Sequence, residues 1–125
     1  MLTRIFLALV GLMFIVFGFW SLTQPLGMTS SLGVSVSGPN GAFEMAGIYG
    51  GVSLGAAALC LAGAAMPQLT RPALWFLAAY MGGYCASRGL AWALHGGPTS
   101  DFYAFIAFEA AVLVGAVAGL RAAAR

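Results

Sequence analysis

"IFLALVGLMFIVFGFWSL", residues 5–22, contains no charged side chain and no proline. With its flanks, Leu2–Leu22 reaches the roughly 20 apolar residues that a helix needs to cross a bilayer core. A segment of this kind at the head of a chain is either a secretory leader or a retained membrane span. The preceding "MLTR" (1–4) has the look of a leader. Against that, the run outlasts the ~7–15 residue apolar region of a signal peptide, and no A-x-A cleavage site follows it. It is read as a retained span.

The remainder of the chain agrees. Of its 125 residues 62% are hydrophobic and 6% charged, with a mean hydropathy of +0.97. A soluble domain carries about 25% charged residues, enough to cover a water-facing surface. This chain has too few and is read as an all-α integral membrane protein of one domain, residues 1–125. The net charge of +2 comes from five arginines and no lysine. Basic residues that sparse leave no footprint for nucleic acid. Cys60 and Cys85 lie inside apolar runs without a C-x-x-C or Cys/His cluster, so they read as free thiols rather than a disulfide or metal site.

Three further segments are long and apolar enough to span: Met45–Met66, Ala73–Leu94 and Phe102–Leu120. The expected architecture is therefore a bundle of four transmembrane helices (about 2–22, 45–66, 73–94 and 102–120). The first connection, residues 23–43, is long, rich in Gly, Ser and Pro, and free of basic residues. "PQLTRP" (67–72) and "HGGPTS" (95–100) are short turns. Four spans put the N-terminus, the second connection and the C-terminus on one side. That side holds Arg4, Arg71, Arg121 and Arg125, and the opposite loops hold no Lys or Arg. The positive-inside rule then makes both termini cytoplasmic, in a bacterial inner membrane, and leaves 23–43 as an outer loop. Trp20 and Trp92 near outer ends and Trp75 near the inner end read as interfacial aromatics.

Arg88 is the arginine that topology does not explain. It is seven residues from His95 at the outer end of the third span, about 10 Å deep at ~1.5 Å per residue. Glu109 is eight residues from Asp101 in the fourth span, at nearly the same depth. A lone charge near the bilayer centre costs at least ~2.5–3.5 kcal/mol, so an Arg88–Glu109 ion pair facing the bundle interior is expected. Tyr80, Tyr84 and Arg88 follow at i, i+4 and i+8 on one helix face. Glu44 starts the second span, with Tyr49 deeper on another flank. The outer half thus collects Glu44, Tyr49, Tyr80, Tyr84, Arg88 and Glu109, with His95 and Asp101 at its rim, while the inner half collects almost nothing polar. Either the pair is a staple that sets helix register, or it anchors a binding site. Gly47, Gly51 and Gly55 recur every four residues, as do Gly115 and Gly119, and such side-chain-free faces let a neighbouring backbone approach. Use inside the monomer is expected, with a membrane partner or a second copy as the alternative.

"EMAGIYGGVSLG" (44–55), with Arg88 in the third span and Glu109 in the fourth, resembles small four-span bacterial inner-membrane proteins of the DoxX-like kind. The likeness is closest to a branch catalogued only as a domain of unknown function. It extends over nearly the whole chain, and the matching positions are Glu44, Tyr49, Gly50, Gly51, Arg88 and Glu109. Ala46 stands where that branch often has an arginine, and its "GR" pair appears here as Ser87–Arg88 followed by Gly89. The resemblance implies the four-span fold and, through DoxX-like relatives associated with quinone-linked oxidoreductases, an accessory role in a larger complex.

Three functions follow as expectations. The first is binding of a small amphiphilic or anionic ligand, lipid or quinone-like, in an outer-half pocket around Arg88, which would donate charge-assisted hydrogen bonds. The second is an accessory subunit of a membrane oxidoreductase. The third is a small enzyme with Glu109 as base, for which no nucleophile–base spacing is present. No cofactor or metal is expected.

Overall fold

The computed structural model describes residues 1–122, so Arg125, counted above among the cytoplasmic charges, lies outside the described residues. The described residues form helices joined by short connections, with no strand among them. The opening segment is helix α1, Leu2–Thr23. Its buried side is Leu7, Val10, Gly11, Phe14, Gly18 and Ser21. These positions recur at alternating three- and four-residue steps and make a single stripe.

The expected long loop after α1 is largely helical. α2 covers Pro25–Ser31, with Pro25 at the first helical position where its missing N–H costs nothing. Residues 32–37 are the irregular part. α3, Gly38–Met45, runs without a break into a π-helical turn, Ala46–Gly51, and then into α4, Val52–Ala65. The second span therefore begins several residues before the expected Met45. Met28, Thr29 and Leu32 from the former loop are buried, so this segment folds back over the far end of the bundle. A Gly/Ser/Pro composition hid it because apolar anchors three and four residues apart are easily lost among turn residues.

The "PQLTRP" turn is likewise absorbed. α5 begins at Pro67 and ends at His95, leaving Met66 as the extended link from α4. Pro72 sits inside the helix, and the Thr70 hydroxyl donates to the Gly63 carbonyl at 2.7 Å, tying the turn to α4. After α5, Gly96 adopts φ +87°, which only glycine takes without strain, and the chain reverses. A short 3₁₀ turn, Ser100–Phe102, leads into α6, Tyr103–Ala122.

α1 packs on α4, α4 on α5, and α5 on α6, while α1 and α6 touch only sparingly. The core, including Leu7, Phe14, Cys60, Leu74, Leu77, Val112 and Ala116, lies between them. At the end bearing the termini, Arg4 donates to the carbonyl oxygens of Ala64 and Ala65 at 2.5 and 3.0 Å, satisfying the last turn of α4. Cys60 is buried, Cys85 half-buried, and neither is in a disulfide.

Among the described residues, three helices are long and apolar enough to cross a membrane: Leu2–Thr23, Gly38–Ala65 and Ser100–Ala122. α5 is the longest of all at 29 residues but is not among them. Arg71, Arg88 and its tyrosines and glycines lower its mean hydropathy. By length and composition, then, three of the four expected spans stand out.

Glycine explains the close contacts, though not at all the expected positions. A methyl group on Gly115 would collide with the Phe6 ring at 2.5 Å, and one on Gly119 would press on Leu74 and Thr3 at 3.1 and 3.2 Å. That face packs inside the monomer. A methyl group added at Gly47, Gly51 or Gly55 would meet no neighbouring helix within 4 Å, so among the described residues the expected intramolecular neighbour is absent there. The second span instead packs through Gly50, whose added methyl would reach the Leu22 backbone at 3.1 Å, and through Gly63, 2.7 Å from the Ala73 methyl.

Candidate functional site

Arg88 and Glu109 meet. The guanidinium donates from Nε to Oε2 and from a terminal nitrogen to Oε1, the fork-to-fork geometry in which both groups are best satisfied. Glu109 is 6% exposed and belongs to the buried face of α6 with Val112 and Ala116. Arg88 is less enclosed, its side chain 25% exposed. Its guanidinium carbon lies 4.6 Å from the Phe102 ring centre and 5.2 Å from that of Tyr84. The two rings hold the fork in place by cation–π attraction. Among the described residues, the remaining guanidinium nitrogen, Nη1, meets no protein acceptor.

The pair borders a cavity of about 260 Å³. Tyr80, Tyr84 and Arg88 reach it from one face of α5, as their i, i+4, i+8 spacing requires. Tyr80 stacks on Phe76 with ring centres 5.3 Å apart, and its hydroxyl lies 3.5 Å from that of Tyr84. Tyr49 enters from the π-helical turn, where the Val52 N–H bonds to the Gly47 carbonyl five residues back. Gly47, Gly50 and Gly51 hold the α-helix weakly, which accounts for the widened turn occurring there. π-turns of this kind cluster at functional positions.

Five of the six residues singled out from the sequence, Tyr49, Tyr80, Tyr84, Arg88 and Glu109, line this cavity. Glu44 does not: it is exposed on α3, on the flank that continues into Gly47 and Gly51. His95 and Asp101, the rim candidates, are exposed and also stand apart from it. Sequence reasoning missed Ser53 and the phenylalanines. Ser53, buried on α4, is four residues beyond Tyr49, a spacing that could have found it. Phe14, Phe17, Phe105 and Phe108 form the apolar wall, with ring centres 6.1 Å apart for Phe14–Phe108 and 5.6 Å for Phe17–Phe105. Leu32 covers the end nearest the long connection. A second, smaller hollow of about 200 Å³ lies beyond Arg88, between Trp92, Pro98 and Ile106.

Apolar walls with a few convergent polar groups are the usual composition of a small-molecule site, although most such sites measure ~300–1,000 Å³. This cavity would hold a head group or a ring rather than a whole lipid.

Helices of this length and apolarity mark a multi-pass membrane protein. Residues 2–120 match the family described as "Domain of unknown function (DUF4345)", and the chain belongs to it. No curated protein and no solved structure matches this chain.

Proposed function

We propose that this is a four-span protein of the bacterial inner membrane, with both termini cytoplasmic, that binds a small amphiphile in an outer-half cavity around Arg88. The observation that carries the binding reading is the conjunction of an apolar cavity with an arginine whose Nη1 donors are unused. An intramembrane guanidinium needs more hydrogen-bond acceptors than Glu109 supplies.

Support for α5 as the fourth span is its length and its neighbours. Its 29 residues extend about 43 Å at ~1.5 Å per residue, and it lies between α4 and α6, which belong to candidate spans. The charge that depresses its hydropathy is paired, so Arg88 costs less in the bilayer than a bare cation would. Support for the orientation is the clustering of Arg4, Arg71 and Arg121 at helix ends that lie together.

A second reading, an accessory subunit of a larger membrane oxidoreductase, rests on the DoxX-like resemblance and on the bare Gly47/Gly51/Gly55 flank, a surface that a partner helix could approach closely. Nothing favours Glu109 as a catalytic base, since both of its oxygens accept from Arg88.

Native mass spectrometry of wild type and Arg88→Ala, released gently from the same membranes, tests the proposal. A small molecule carried by wild type and lost from the variant is expected. A co-released partner chain with no small molecule would replace the binding reading with the accessory one.

A further inference from the structure

The cavity also constrains the charge of what it binds and the direction from which that ligand comes. Among the described residues its lining carries one cation and one anion, Arg88 and Glu109, and they cancel. An acid entering such a site would bring an uncompensated negative charge into a low-dielectric interior, beside a carboxylate that stays. A neutral carbonyl group brings none, and it accepts the hydrogen bonds that Nη1 has left to give. The hydroxyls of Tyr49, Tyr80, Tyr84 and Ser53 extend the same logic, since each can donate to an uncharged acceptor.

Access points the same way. From the connection side the cavity is bounded by Leu32, which is 3% exposed. At the opposite end α1 and α6 are closed by Phe6 against Gly115 and Thr3 against Gly119. Between these closures the backbones of α1 and α6 stand apart. They are bridged by the ring pairs Phe14–Phe108 and Phe17–Phe105, which would have to part to admit a ligand. The lining residues Met13 and Ala104, one from each helix, are exposed on the outer wall. That seam would face acyl chains. A ligand using it has already dissolved in the bilayer, which selects again for an uncharged head.

Resting on the binding reading above, we infer that the ligand is an uncharged amphiphile whose polar end presents a carbonyl oxygen to Arg88, entering from the lipid between α1 and α6 with its tail left in that seam.

Methyl laurate and laurate make a matched pair of probes, differing in little but head-group charge. The full chain in nanodiscs is equilibrated with each labelled probe at alkaline pH, and uptake by empty nanodiscs is subtracted. Wild type should bind the ester at least about tenfold more tightly than the carboxylate, which corresponds to about 1.4 kcal/mol of affinity or more. Glu109→Gln, which leaves the cavity net positive, should reverse the order. Should that variant not fold, the infrared carbonyl stretch of the ester bound to wild type serves instead and should fall on hydrogen bonding to Arg88. Carboxylate preferred by wild type, or equal uptake of both, overturns this inference and leaves the cavity a binding site. Excess uptake of neither removes the binding reading itself, and the inference with it.

Discussion

Removing Arg88 alone should damage this protein more than removing both members of its ion pair. In Arg88→Leu the carboxylate of Glu109, 6% exposed in the wild type and with no other donor bonded to it among the described residues, remains on the buried face of α6. Stranding one partner of a buried pair costs ~3–5 kcal/mol, whereas replacing both by apolar residues is often neutral or better. Arg88→Leu/Glu109→Leu should therefore recover most of the loss. The reverse single change should be milder. Left alone in Glu109→Leu, Arg88 keeps its aromatic neighbours Tyr84 and Phe102 and is already 25% exposed. It also stands seven residues from the end of α5, within reach of the interface by snorkelling. The expected order of stability is wild type and double variant together, then Glu109→Leu, then Arg88→Leu. Unfolding by SDS in mixed micelles, followed by tryptophan fluorescence, measures all four corners of the cycle. A coupling energy below about 0.5 kcal/mol, the scatter expected for independent sites, would refute the pairing. A double variant weaker than Arg88→Leu would refute the desolvation reasoning while sparing the contact.

Two more expectations concern packing and topology. Gly63→Ala places a methyl 2.7 Å from that of Ala73 and should cost ~1–3 kcal/mol by overpacking, while Gly55→Ala, with open space around it, should be neutral or slightly stabilising. The same micelle unfolding assay decides between them, and a strong defect confined to Gly55→Ala in native membranes would instead reveal a partner on that flank. Alkaline phosphatase, active only outside the cytoplasm, should be active when fused within residues 32–37 and inactive when fused after Ala122. Activity at both points would leave α5 short of a full crossing.

What could be read from the sequence divides along physical lines. A span is a bulk property, so α1 and α6 appear almost at the limits expected from apolar length alone. The Arg88–Glu109 contact follows from two opposite charges at matching distances from the turn that joins two consecutive antiparallel helices, where apolar neighbours leave such charges few other partners. The Tyr80, Tyr84, Arg88 face needs only the period of the helix. Glu44 stands apart from the cavity for a related reason: near the end of its helix a carboxylate has water to turn to, and nothing forces it inward.

The glycines show where periodicity by itself misleads. Gly47, Gly51 and Gly55 have the spacing of a packing face, yet α1 approaches the adjacent flank, through Gly50. On α1, Gly11 and Gly18 are two turns apart in the buried stripe with Leu7 and Phe14. Added methyl groups there would meet Leu61 and Leu54 at 2.9 Å. A four-residue repeat says that a helix could be approached along that line, but only the partner's stripe says which line is used. The π-turn connects this packing to the site: with Gly50 set against α1, Tyr49 is carried to the cavity and the Gly47/Gly51 side is left bare. Glycine in "AGIYGG" thus serves both the close approach of two helices and the irregular turn that delivers a tyrosine beside Arg88.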